Sequence, residues 1–293
     1  MTVTATRAAT DNASTFAPFI VRRPDAVRAP VIFASPHSGS YYPKPFQAAL
    51  QVPLMDLRRT EDAFVDTLFA LAPDKGALQL NATHGRSFVD LNRDARDLDA
   101  SMFSDGVPRM CGLPSARVKA GLGSLPRVGA SGQHMYTAQM TRAEGSARLS
   151  TVHDAYHGAL SREIEALSQD WSDVILIDCH SMPSKQPGRQ SLPDIVLGDR
   201  FGSSCSGKLT GAVERAFRRS GFSVVRNAPY AGGYTTRRYG RPRRGVHALQ
   251  IEINRGLYMD ELAVEKAKGF APLCDTLAHV MDDIIAYALR ENG

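Results

Sequence analysis

The chain has 293 residues, with Lys+Arg 35 against Asp+Glu 30 for a formal net charge of +5, and it is 43% hydrophobic and 22% charged. A chain of this length can bury roughly three quarters of its unfolded surface and needs no disulfide or metal staple to fold, while 24 Gly and 17 Pro are too few for a collagen-like or disordered chain. No apolar run approaches the ~18 residues of a membrane span, and the mild basic excess suits anionic small molecules at least as well as nucleic acid.

The first residues, MTVTATRAATDNAST, are Thr/Ala-rich and interrupted by Arg7 and Asp11. They lack the apolar core of a signal peptide, so residues 1–17 are expected to form a loose tail and the protein to be cytoplasmic. Cys111, Cys179, Cys205 and Cys274 are far apart with no CxxC pair, the usage of a reducing compartment. Strands are predicted at Val31–Ser35, Ala77–Leu80, Val174–Ile177, Asp194–Leu197, Phe222–Val225 and Ala248–Ile253, several apolar on both faces, as in a sheet covered by helices. Three- and four-residue spacing predicts three helices: one through Leu149, Val152, Tyr156, Leu160, Ile164 and Leu167, one through Leu209, Ala212, Val213, Ala216 and Phe217, and one through Phe270, Leu273, Leu277, Val280, Ile284 and Ala288. Thr141-Arg-Ala-Glu144 has capping-box spacing and opens the first. A weaker pattern, Val65, Leu68, Phe69 and Ala72, follows Thr60 and puts Glu61 and Asp62 in a first turn, where acids suit the helix dipole. Residues 95–140 are Gly-, Pro- and Ser-rich without periodicity, a kind of stretch that is usually functional or mobile and is expected to cover a site. With no internal repeat and no low-complexity linker, residues 18–293 read as one domain: α/β class, three-layer α/β/α, with a mostly parallel mixed sheet.

In open parallel sheets ligands sit at the carboxyl ends of strands. Two histidines leave strands at equivalent places, His37 in Pro36-His-Ser-Gly39 and His180 in Asp178-Cys-His-Ser181, each followed by a small residue. Neutral imidazole is a common zinc ligand, and beside two His a carboxylate is the natural third; Glu61-Asp62 is the nearby acidic pair. His84 precedes Gly-Arg and can join such a site, whereas His134, His153, His157 and His279 read as structural or supporting residues. The segment Gly85–Arg93 offers Arg86, Asn92 and Arg93, whose donors match a carboxylate, unless Asp90 and Asp94 simply pair with the arginines. Alternation in the strand from His247 to Arg255 puts Gln250, Glu252 and Asn254 on one face. An acid there is expensive to bury unless it is partnered or reactive; Glu252 is thus either an internal salt-bridge partner or the general base beside a metal-bound water. Arg226–Gly245 is Gly-rich, aromatic and strongly basic. It suits phosphate contacts with base stacking or an anion-binding loop over an active site, and the adjoining His/Glu strand favours the second. No GxGxxG, Walker A or GxSxG motif is present.

Taken together, Ser35-Pro-His-Ser-Gly39, Arg86…Asp90-Leu-Asn-Arg93, Gly121-Leu-Gly-Ser-Leu-Pro-Arg127…Tyr136, Asp178-Cys-His-Ser181, Gly232-Gly-Tyr-Thr-Thr-Arg237…Tyr239-Gly240 and His247…Glu252 resemble the N-formylglutamate amidohydrolase family over about residues 28–265. The resemblance implies a phosphorylase/hydrolase-like fold, akin to the zinc carboxypeptidases and aspartoacylases. It further implies one Zn2+ on His37 and His180, an α-carboxylate held by Asn92 and Arg93, a scissile carbonyl polarised by Arg86, and a water activated by Glu252. Carboxypeptidases place a Glu three residues after the first ligand. Here that position is Ser40, so the acidic ligand is expected from Asp62, with Glu61 as the fallback. Arg237 or Arg238 is expected to recognise a second carboxylate and Tyr230 or Tyr239 to close over it. The expected partner is a small anionic N-acyl amino acid, N-formyl-L-glutamate first, with no nucleic acid and no membrane. The competing readings are a zinc deacylase or carboxypeptidase for another N-acyl amino acid or short peptide, a degenerate carboxylate-binding scaffold without metal, and a basic nucleic-acid-binding protein.

Overall fold

The computed structural model describes residues 16–185 and 192–293. Positions 1–15 of the expected tail lie outside the described residues. Its last two positions are held in place, Phe16 stacking on Tyr41 at 4.2 Å and Ala17 accepting a hydrogen bond from the Thr83 hydroxyl.

A seven-stranded sheet organises the chain: β1 (Phe19–Arg22), β2 (Val31–Ser35), β3 (Leu78–Ala82), β4 (Val174–Met182), β5 (Ile195–Gly198), β6 (Val224–Arg226) and β7 (Val246–Asn254), in the order β1-β3-β2-β4-β7-β5-β6. The inner strands β3, β2, β4 and β7 run parallel, while β1 and β5 pair antiparallel with β3 and β7. β1 was not expected from the sequence. Its four residues, Phe-Ile-Val-Arg, alternate between half-buried and exposed, an edge strand too short to stand out.

Side-chain alternation assigns the two layers. Val31, Phe33, Ile175, Ile177, Cys179, Leu249, Ile251 and Ile253 face one core, shared with α1 (Val65–Leu68), α4 (Gly207–Arg219) and α6 (Phe270–Asn292). Ile32, Ala34, Val174, Leu176 and Ala248 face the other, shared with α3 (Ala155–Asp170) and with much of the irregular segment, including Leu98, Phe103, Leu125 and Met140. Ahead of α3 runs α2 (Arg142–Arg148), where the Thr141 hydroxyl accepts the Glu144 amide at 3.2 Å, and a π-helical stretch, Leu149–Asp154, joins the two. No helix among the described residues is long and apolar enough to cross a membrane.

The sequence reading is corrected at two places that matter for the site. β4 runs on past Ile177 because β7 pairs with it as far as Met182↔Asn254, so His180 sits inside a strand and not in the turn after one. Glu61 and Asp62 precede α1 instead of forming its first turn; the Asp62 amide is taken by the His37 carbonyl at 3.0 Å, which draws the acid toward the end of β2.

Candidate active site

The same alternation that fills the core lays out the chemistry. On β4 and β7, Asp178, His180, Gln250 and Glu252 continue the face of Leu176 and Ala248, past the point where that face is apolar. His180 stands directly opposite Glu252 in the parallel register. His37 follows β2 by two residues, and its ring lies 4.8 Å from that of His180. These ends open into a cavity of about 450 Å³, lined also by Asp62, Arg86, Asp90, Asn92, Arg93 and Arg255.

Asp62 is the hinge of the arrangement. Its Oδ2 lies 2.9 Å from His180 Nδ1 and 3.4 Å from His37 Nδ1. Its Oδ1 accepts from Arg255 at 2.9 Å, and Arg86 stands 3.6 Å away. The outer imidazole nitrogens have partners as well: His37 Nε2 bonds Asp90 Oδ1 at 2.7 Å, and His180 Nε2 lies 3.2 Å from Asn92 Nδ2 and 3.0 Å from Asp178 Oδ1. Carboxylates behind both imidazoles are the usual outer shell of a metal-binding histidine, fixing tautomer and orientation. Asp178 and Asp90 thus have roles that motif reading missed. The contact of Asp90 with Arg86 at 2.9 Å is the pairing the sequence allowed, and the imidazole contact is added to it.

Ligand atoms of His37, Asp62 and His180 all lie within 4.8 Å of one another. All three residues are buried, and His37 Nδ1 has no hydrogen-bond partner among the described residues. Two nitrogens and one carboxylate oxygen, with a buried orphan nitrogen turned inward, fit a divalent ion such as zinc. The local field agrees. Burial alone would strip the proton from His180, but Asp178 and Asp62 overcome it and raise the imidazole well above its ordinary value. Burial likewise opposes charge on Asp62, yet the two imidazoles and Arg86 hold it well below the usual carboxylate range. A pocket that stabilises positive charge this strongly suits a bound cation. Glu61 is turned elsewhere, accepting from the Tyr42 hydroxyl at 2.8 Å, and burial pushes it up to about 7. The acid in the cluster is Asp62.

Glu252 lies beside this cluster, buried, its Oε1 accepting from Gln250 Nε2 at 2.7 Å. Burial pushes its carboxyl up to about 7, against the opposing charge of His180.

The N-formylglutamate amidohydrolase family matches the chain over residues 29–259, a span that includes the cluster, the arginines and Glu252. This chain belongs to the N-formylglutamate amidohydrolase family. An N-formylglutamate deformylase of Pseudomonas aeruginosa is 32% identical over 243 residues, covering 80% of this chain and 84% of the relative. Its namesake from Pseudomonas putida is 29% identical over 239 residues, with 80% and 83% covered. A crystal structure of N-formylglutamate amidohydrolase from Ralstonia eutropha JMP134 superposes with a TM-score of 0.88 at 35% identity, covering 94% of this chain and all of that one. A gene product of Agrobacterium tumefaciens, at 18% identity and a TM-score of 0.67, shares the fold.

Within this family framework the other expected residues divide. Arg86, Asn92, Arg93 and Tyr230 line the cavity. Asn92 is wedged under Gly233, where a Cβ would meet its side chain at 2.3 Å, and its Oδ1 accepts the Thr235 amide at 2.9 Å. Arg237 and Tyr239 do not line this cavity. Both lie on α5 (Tyr234–Tyr239), which turns them away from the cavity. Arg237, with Arg238, enters a separate open groove beside Asp94, 3.7 Å from its carboxylate. Tyr239 is buried with its hydroxyl 3.0 Å from His157 Nδ1. Of the basic segment, Pro229–Gly233 walls the site. His84 does not join either; it stacks with Phe88, and burial pushes it down to about 4. His153 and His157 act as supports, reaching the Arg93 and Leu91 carbonyls at 2.9 and 2.8 Å. Residues 95–140 wall one side through Arg117, Leu122, Pro126 and Val128–Ala130.

Proposed function

We propose that this chain is an amidohydrolase that cleaves the N-formyl amide of N-formyl-L-glutamate to formate and glutamate, with zinc held by His37, Asp62 and His180. The observation that carries the reading is the buried His–Asp–His cluster beside Glu252 in an arginine-lined cavity; the relatives' names supply the substrate. When bound, the zinc supplies Lewis acidity toward the formyl carbonyl and toward water.

Glu252 takes the proton of the attacking water and delivers it to the amide nitrogen as the C–N bond breaks, so that formate and a free amine leave. Its burial favours a carboxyl that can serve in both directions near neutral pH. Arg86 is half-buried and held by Asp90; it keeps a fixed positive charge toward the oxygen that gains negative charge in the transition state. Asn92 and Arg93 orient the α-carboxylate of the substrate. All four cysteines are free, which supports a reducing, cytoplasmic compartment.

Formate release from N-formyl-L-glutamate tests the reading. Activity is expected to vanish after chelation and return with zinc, and Glu252→Gln is expected to abolish turnover while metal content, read by elemental analysis, stays at the parent level. Activity indifferent to chelator, or full turnover by the Gln variant, would reject the metal or the base respectively.

A further inference from the structure

With Arg237 outside the cavity, the side-chain carboxylate of a glutamate-type substrate has no assigned partner. Five arginines line the cavity: Arg59, Arg86, Arg93, Arg117 and Arg255. Arg86 and Arg255 are already neutralised by Asp90 and Asp62. Arg59 and Arg117 are both exposed, but Arg59 is engaged, donating its Nε to the Leu262 carbonyl at 3.0 Å. Arg93 donates only to carbonyls, those of Leu122 and Asn92, at 3.1 and 3.0 Å. The Arg117 guanidinium has no hydrogen bond or ion pair among the described residues.

Arg93 and Arg117 are also tied to each other. The carbonyl that receives Arg93 belongs to Leu122, and the Leu122 amide donates to the Arg117 carbonyl at 2.8 Å. Leu122 thus receives the Arg93 side chain and bonds the Arg117 backbone, which puts the two residues on one wall of the cavity. Burial pushes the Arg93 guanidinium below its ordinary value; the Asp90 carboxylate opposes this, and the neighbouring charge of Arg117 adds to it. Arg117, exposed at the cavity mouth and in no ion pair among the described residues, is free to take an anion that enters beside Arg93. The two carboxylates of a glutamate are joined by a short aliphatic chain, so neighbouring cations can hold one each.

We propose that Arg117 is the specificity-determining residue for the second carboxylate: with Arg93 on the carboxylate nearest the scissile amide, the Arg117 guanidinium takes the one on the substrate's side chain. This rests on the deformylase reading above. It makes the irregular segment the part of the chain that selects an acidic side chain over a neutral one of the same shape.

The test compares N-formyl-L-glutamate with its neutral isostere, N-formyl-L-glutamine, in the zinc-loaded enzyme. In Arg117→Met, kcat/KM for the glutamate substrate is expected to fall at least about tenfold further than kcat/KM for the glutamine substrate, since a charged partner has been removed. The glutamine substrate also reports that the variant is folded. Arg117→Lys is expected to keep part of the preference, because it retains the charge without the planar fork. A glutamate-to-glutamine preference in Arg117→Met equal to the parent's would overturn the proposal and leave the deformylase reading standing. Formate release from neither substrate by the parent enzyme would overturn both.

Discussion

One oxygen of Asp62 faces both imidazoles while Arg255 holds the other, and Arg255 is itself fixed by the Arg59 carbonyl at 3.1 Å and the Ser181 hydroxyl at 3.2 Å. The guanidinium therefore decides which lone pairs of Asp62 point at the ligand position. The carboxylate itself stays ionised in full burial through the two imidazoles and Arg86, which burial alone would not permit. Replacing Arg255 with Met removes the clamp and leaves the ligands in place. Zinc affinity is expected to fall roughly 10–100-fold, as for other outer-shell partners, measured by competition with a chromophoric chelator. Unchanged affinity would mean that the imidazoles alone orient Asp62.

At the scale of elements, the site depends on how closely the exits of β2 and β3 pack. Gly39 lies between them, where a Cβ would sit 2.4 Å from the His84 carbonyl oxygen and 2.4 Å from the Thr83 carbonyl carbon. These are backbone atoms fixed by the Tyr41 amide on the Thr83 carbonyl at 2.9 Å and by the Gly85 amide on the Tyr41 carbonyl at 3.0 Å. Nothing there can rotate aside, so Gly39→Ala must push the two loops apart. A loss of about 1–3 kcal/mol is expected, the usual range for overpacking, read by urea denaturation. Because His37 is two residues away and Arg86 follows the other loop, zinc affinity should drop in the same variant. Parent-like stability would show that the loops yield.

For the molecule as a whole, buried groups of opposite kinds set the response to acid. Burial pushes His157 down to about 3 and His84 to about 4, from an ordinary 6.5. Between pH 6.5 and about 4 the unfolded chain therefore binds protons that the native state refuses, and each imidazole removes stability as pH falls, by up to roughly 1.4 kcal/mol per pH unit. Glu61 and Glu252, pushed up to about 7, act in the opposite sense, because the native state takes their protons first. The parent curve is thus a partial cancellation, and the informative quantity is a difference. His157→Asn is expected to be less stable than the parent at neutral pH, having lost contacts to Leu91 and Tyr239. That deficit should shrink as pH is lowered toward 4. A deficit independent of pH, from denaturation curves across the range, would contradict a neutral buried His157.

Chain-local features were legible from the residues alone. Apolar runs placed six of the seven strands, because a strand buried on both faces announces itself by composition, and helical spacing placed the three long helices for the same reason. His37, His180 and Glu252 stood out because a polar group in or just after such a run has no packing reason to be there, and Arg86 because its fork of donors sits in a motif shared with Asn92 and Arg93. What the sequence could not decide were contacts between distant segments that leave no local periodicity: Arg255 against Asp62, Asp90 behind His37, and Leu122 between Arg93 and Arg117. The basic segment shows the limit most clearly. Arg237 and Tyr239 sit a few residues from the cavity wall, and a single helical turn carries them out of it. Composition sets what a segment can bind, whereas the direction in which each side chain points is set by what the rest of the fold packs against it.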